Sequence, residues 1–385
     1  MDELVVGTYE GFLLGYAIHL ENEEKKLKQT FAAQSHTASV RCISTAGKFL
    51  ASGGTDDKVV VIDLKTRKEH TVLMNHDGTV NVLAFTNGAT HLLTGSDDGK
   101  IIVTRTGNWQ IEKIWKKAHG GHPVTAIAVH PSDKLALSIG GDKTLRTWNL
   151  IKGRPAFAIN LASKGIHMPT EIKFSPAGDR FSLVYQQCVD IWTLSKAGVE
   201  KHITCNSKPT SVQWISDERL YIGLENGNII TITVTDTKAL TYKAHKHRVK
   251  CLHYESDMLY SASSAGELKV WSISDFKLNE ICSNNAGCRI TCVALNKQSH
   301  LIKKEKEFDE NERINEQERE AIVETDEESE DDNDSPKAKK RKAGAFVTVS
   351  YDGESEEEKR KEAPPVKKKL KKRRRSKKSK NRDDK

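Results

Sequence analysis

The chain has 385 residues, with 61 Lys and Arg against 53 Asp and Glu and a formal net charge of +8. Its start, Met1-Asp2-Glu3, lacks a basic leader, and no apolar run approaches the roughly 18 residues of a spanning helix, so the chain is expected to be neither secreted nor membrane-spanning. Seven cysteines without a Cys-x-x-Cys pair read as structural thiols of a reducing compartment rather than as a metal site or a disulfide framework.

In chain order, the first predicted elements are the strands ELVVGTY (3–9) and FLLGYAIHL (12–20), joined by Glu10-Gly11, then an outer strand LKQTFAAQ (27–34). All three lack an innermost partner. A repeat follows: SHTASVRCISTAGKFLASGGTDDKVVVIDL (35–64) aligns with residues 75–106, 118–150 and 244–273, and two degenerate copies occupy 168–194 and 208–234. The markers Ile62, Val103, Trp148, Trp192, Ile232 and Trp271 step by 41, 45, 44, 40 and 39 residues, the period of a WD-repeat propeller.

Each copy holds three alternating apolar runs separated by turn residues, and a fourth run precedes the next copy's histidine. In the third copy these are 125–129, 135–138, 144–148 and 156–161. The last predicted strand, CRITCVALN (288–296), has nothing after it and supplies the partner that the N-terminal strands lack. It carries the one close cysteine pair, Cys288-x-x-x-Cys292, with both side chains on one side of the strand. The expectation is an all-β, seven-bladed propeller over 1–296, closed by strands from both ends, which removes the open edge of a blade stack.

Within the third copy, His119, Ser138, Asp142 and Trp148 have the residue types of a hydrolase triad. Burial of such groups demands pairing, no G-x-S-x-G elbow is present, and a structural blade lock is the expected reading. The first copy offers His36, Ser52 and Asp56, with Ile62 in place of Trp, and the second offers His76, Thr94 and Asp97, with Val103. HGGHPV has one residue more before its valine than the other copies, so either His119 or His122 fills the lock. GSDDGKI (95–101) is one residue short of a phosphate loop and lacks its Ser or Thr, leaving a hairpin turn. No cofactor, metal or catalytic residue is expected. Lys246, His247 and Arg248, ahead of a first strand, form a candidate partner-binding loop.

From residue 297 onward the composition changes. A charged linker rich in helix formers (297–323) reads as a solvated arm or a partner-bound helix, and 324–385 reads as a disordered tail, acidic and then basic. Residues 305–334 carry 16 acids against 3 bases, whereas 367–382 carry 12 bases and no acid. Ser329, followed by acids, and Ser335, followed by proline, are candidate phosphosites. Two basic runs read as nuclear and nucleolar localisation signals and RNA-phosphate contacts: Lys337, Lys339, Lys340, Arg341 and Lys342, then Lys367, Lys368, Lys369, Lys371, Lys372, Arg373, Arg374 and Arg375. No aromatic residue interleaves the second run, which points to backbone electrostatics rather than base stacking.

The stretch HPSDKLALSIGGDKTLRTWNLIKGRPAF, with AHKHRVK, the opening LVVGTYEGFLLGYAI and a Lys/Arg-rich end, resembles the p21-activated-kinase-interacting protein family. The resemblance covers about residues 4–296. It departs in the first two copies, which lack the third-strand Trp, and in the acidic stretch 324–334. It implies a nucleolar, noncatalytic scaffold for maturation of pre-60S particles and pre-rRNA, with pre-60S proteins and pre-rRNA as partners and a monomeric propeller. It implies as alternative a negative regulator that binds p21-activated kinase. A ubiquitin-ligase substrate receptor is a third class that a propeller alone permits.

Overall fold

The computed structural model describes residues 2–21, 24–236, 239–274 and 277–296. The expected linker over 297–323 and the tail over 324–385 lie outside the described residues. No helix among the described residues is long and apolar enough to cross a membrane.

The alternating runs become strands because successive side chains point to opposite faces, and here both faces of most strands meet a neighbouring sheet. Seven four-stranded antiparallel sheets result among the described residues. Blade 1 begins with the inner strand Val40–Ala46, and blades 2 to 6 with Val80–Phe85, Val124–Val129, Pro169–Phe174, Pro209–Ser216 and Val249–Glu255. In the third blade the following strands are Leu135–Gly140, Thr144–Asn149 and Arg154–Asn160, from the channel outward. The second strand of a blade is almost wholly buried and the outermost is mostly exposed, as Glu3–Thr8 and Arg154–Asn160 illustrate.

The seventh blade joins the two ends of the chain. Ile290–Asn296 is its inner strand and pairs antiparallel with Glu3–Thr8, with Glu3 opposite Asn296 and Leu4 opposite Leu295; Phe12–Glu21 and Glu24–Gln34 complete it. Its faces are covered on both sides. Leu4, Val6 and Tyr16 pack with Tyr260, Leu268 and Val270 of blade 6, while Val5 and Leu13 pack with Leu50, Val60 and Ile62 of blade 1. Polar side chains pin the same strand. Thr45 Oγ1 donates to the Leu295 carbonyl at 2.8 Å, His253 Nε2 to Val293 at 2.8 Å, and Thr291 Oγ1 to Gly7 at 2.9 Å. Glu3, 2% exposed, is held by Arg67 Nη1 at 2.7 Å and by the Thr30 hydroxyl, and the Arg67 guanidinium lies 4.8 Å from the Phe31 ring centre.

Neighbouring blades approach closely where the next-to-last residue of a second strand is glycine. A Cβ on Gly95 would lie 2.7 Å from Val124 Cγ1, and one on Gly223 would lie 2.6 Å from Val249 Cγ1. The valine that opens the next inner strand therefore packs directly on backbone, which fixes the spacing between sheets.

Candidate interaction surface

Each lock histidine lies in the connection entering an inner strand, and the residues it joins come from the second strand and the turn after it. In blade 3, Trp148 Nε1 donates to Ser138 Oγ at 2.8 Å, Ser138 Oγ lies 2.7 Å from His119 Nε2, and His119 Nδ1 lies 2.9 Å from Asp142 Oδ1. Donor inventory fixes the protons. The indole N–H can only donate, so the hydroxyl accepts from it and donates its own hydrogen to Nε2; Nδ1 then carries the imidazole proton and donates to the carboxylate. Ser138 and His119 are 0% exposed, so the constellation that resembles a triad presents no nucleophile to solvent. His122 is exposed and outside the network. The extra residue is absorbed by Gly120 and Gly121, at φ 65° and 88°.

Blade 1 joins His36 to Ser52 and Asp56, both at 2.9 Å. In blade 2, His76 meets Thr94 at 2.7 Å, but its carboxylate is Asp98, at 3.0 Å, and not Asp97. Asp97 turns outward and accepts from Asn81 Nδ2 at 2.6 Å. Blade 6 contains a lock that sequence reading missed: Trp271 Nε1 to Ser261 Oγ at 2.8 Å, His245 Nε2 to the same hydroxyl at 2.8 Å, and His245 Nδ1 to Glu267 Oε2 at 2.8 Å. The ten-residue Ser-to-Trp separation, equal to that of blade 3, was the available signal. Its carboxylate starts two positions later, and the longer Glu side chain reaches back.

Blades 4 and 5 are built differently. Leu183 stands where blade 3 has Ser138, two places beyond the partner of the third-strand Trp, and the Trp192 indole N–H, wholly buried, has no hydrogen-bond partner. Cross-blade bonds substitute. Trp214 Nε1 of blade 5 donates to Ser182 Oγ of blade 4 at 3.1 Å, and the Val212 N–H donates to Glu171 at 3.0 Å. Within blade 4, Asp190 gathers Tyr185 Oη at 3.1 Å and His202 Nδ1 at 2.6 Å, tying three strands together.

Ionisation follows from these surroundings. Burial pushes the imidazoles of His76, His119 and His245 below the usual value, and the adjacent carboxylates only partly restore it, so the rings rest neutral. Burial would raise Asp56, Asp98 and Asp142, yet the hydrogen bonds they accept from the imidazoles and from backbone N–H groups hold them below the usual range. The lock is thus a charged carboxylate gripped by a neutral ring.

The locks hold one face of the ring, made of the turns after the second strands and the connections into the inner strands. Lys246 and His247 are exposed there and Arg248 is half-buried. The inner strands of blades 2 to 5 line a cavity of about 580 Å³, with Asn81, Thr125, Thr170, Glu171, Lys173 and Gln213 among its walls. No group of three or more His, Cys, Asp or Glu among the described residues is arranged to hold a metal ion. Ser329, Ser335, the run Lys337 to Lys342 and the run Lys367 to Arg375 lie outside the described residues.

The WD domain, G-beta repeat model matches residues 25–63, 67–104, 113–149 and 237–272. The chain is 36% identical over 313 residues to a p21-activated protein kinase-interacting protein 1-like from Xenopus laevis, covering 79% of this chain and 84% of that protein. It is 29% identical over 303 residues to the Shk1 kinase-binding protein 15 of Schizosaccharomyces pombe, covering 76% and 84%. A solved structure titled "Structure of U3-55K" superposes with a TM-score of 0.60 at 11% identity, over 68% of this chain and 86% of that one, a likeness of fold.

Proposed function

The chain belongs to the p21-activated protein kinase-interacting protein family of WD-repeat propellers, and on that premise we propose that it is a noncatalytic scaffold in assembly of the large ribosomal subunit precursor in the nucleolus. The propeller docks on a protein of the particle, and the basic tail holds it to pre-rRNA through phosphate charge. One observation carries the reading: a closed ring whose triad-like Ser, His and Asp groups are consumed by blade locks is joined to a terminal stretch with 12 bases and no acid over 367–382. Such a stretch neutralises phosphates and releases counterions, and it addresses a chain to the nucleolus.

Deleting 367–382 from the fluorescently tagged chain tests this. Loss of nucleolar signal, together with loss of an RNA association that weakens steeply with salt, is expected; unchanged localisation and RNA retention would overturn it. A second reading, restraint of a p21-activated kinase, is favoured by the names of the relatives from Xenopus laevis and Schizosaccharomyces pombe, a kinase-interacting and a kinase-binding protein. That activity requires the propeller and not residues 367–382, so it survives the same deletion.

A further inference from the structure

Six blades repeat one backbone hydrogen bond at the channel mouth. The first residue after the second strand donates its N–H to the carbonyl of the residue just before the inner strand of the same blade: Thr55 to Ser39 at 2.9 Å, Asp97 to Thr79 at 3.0 Å, Gly141 to Pro123 at 2.8 Å, Glu225 to Lys208 at 2.9 Å, Ser264 to Arg248 at 3.0 Å and Tyr9 to Arg289 at 2.9 Å. This bond sets those entry residues in one register around the mouth. Two residues further on, inside each inner strand, a second register reaches toward the neighbouring blade, as Asn81 Nδ2 to the Val124 carbonyl at 3.2 Å shows.

Charge is distributed unevenly over these registers. Blade 5 supplies Lys208, blade 6 supplies Arg248 and Lys250, the closing blade supplies Arg289 and blade 1 supplies Arg41, whereas blades 2, 3 and 4 supply Thr79, Asn81, Pro123, Thr125, Met168 and Thr170. No acid occupies either register. Five bases thus converge on four consecutive blades. Lys208, Arg289 and Arg41 are exposed, and Arg248 and Lys250 are half-buried. Arg41 and Lys250 flank the closing strand closely enough that the Cys292 thiol between them feels both charges. None of the five is held in an ion pair among the described residues, and Arg289 instead lies 5.0 Å from the Tyr9 ring centre. Like charges gathered at a concave mouth repel one another, and the mouth focuses their field outward; an anion relieves the first and is drawn by the second.

We propose that this half-ring is the docking site of an acidic protein segment, whose carboxylates pair with Arg248, Arg289 and Arg41 while its backbone lies over the channel mouth. Arginine forks match carboxylates two bonds at a time. A polynucleotide fits less well. It carries a charge at every nucleotide and must leave the arc past the exposed Glu10 and Glu225 of the flanking turns, while an acidic segment need place only a few side chains. The proposal stands on these two registers and is independent of the ribosomal reading.

The test is fluorescence anisotropy on the full chain with a labelled deca-glutamate peptide at 0.15 M salt, with unlabelled decauridylate in excess to occupy the tail. The fourfold variant R41Q/R248Q/K250Q/R289Q is expected to lose about tenfold or more in peptide affinity, the scale at which charged interface contacts act. A smaller loss overturns the proposal, as does failure of the parent chain to bind the peptide. Displacement of the peptide by decauridylate also overturns it, because the surface would then take any polyanion. Should the fourfold variant fail to fold, the exposed pair K208Q/R289Q serves, with about threefold loss expected and none overturning.

Discussion

A neutral imidazole gripping a carboxylate on one side and a hydroxyl on the other is a strut only while it stays neutral. His119→Ala leaves Asp142 and Ser138 without their partner in a buried site and is expected to cost about 2–4 kcal/mol in urea unfolding, whereas His122→Ala, at an exposed position, should stay within about 0.5 kcal/mol. Equal effects would show that the lock contributes nothing. The depressed pKa values of His76, His119 and His245 also set a pH dependence. Above about pH 6.5 neither folded nor unfolded chain binds these protons, and the locks contribute fully. As pH falls through that value the unfolded chain takes up protons that the folded chain resists, so stability is lost, by up to about 1.4 kcal/mol per pH unit for each histidine. The carboxylates act in the same direction at lower pH. The urea midpoint should therefore fall between pH 7.5 and 5.5, and an unchanged midpoint would contradict neutral rings. At this scale the sequence was partly legible. Ser52 to Asp56 and Ser138 to Asp142 are both four residues apart, and the same offset from Thr94 selects Asp98 over Asp97; the adjacent aspartates concealed it. Glu267 was not legible, because its offset of six works only through a longer side chain.

The closing blade is the element on which the ring depends, since its inner strand comes from the far end of the propeller. Removing 288–296 uncovers Leu4, Val6 and the edge of Glu3–Thr8, and the shortened chain is expected in the insoluble fraction; a chain ending at 297 keeps the blade and should remain soluble with a cooperative melt. A soluble, cooperatively melting chain without 288–296 would contradict closure by that strand. Arg67→Ala leaves Glu3 buried beside Thr30 without its cation. Because Arg67 is itself about a third exposed, the expected loss is about 1–3 kcal/mol rather than the larger figure of a wholly buried pair. Period-two alternation and the forty-residue step made the strands and their closure readable from both ends of the chain. The bracing of blades 4 and 5 was not, since Trp214 to Ser182 joins residues 32 apart that belong to no repeated motif, and Val212 to Glu171, 41 apart, recurs as Leu252 to Ser211 with a different acceptor side chain.

On the scale of the whole molecule, a rigid ring carries two separate sources of positive charge: the half-ring at the channel mouth and the terminal basic stretch. The ring's charge is fixed in geometry and suits a defined protein partner, while the tail's charge is dense, free of aromatic residues and suits phosphate. The proposed role needs both, because a scaffold that only met RNA would have no particular place on a particle, and one that only met protein would have no hold on its RNA. Residues 324–334, acidic throughout except for Thr325, Ser329 and Asn333, give the tail a second sign of charge that basic ribosomal proteins would meet. The most direct measurement is sucrose-gradient sedimentation of nuclear extract, following the full chain and a version lacking 367–382 beside markers of the large-subunit precursor. The full chain should travel with the precursor particles and the shortened one should shift toward light fractions as salt is raised. Confinement of the full chain to light fractions at low salt would contradict the assembly role.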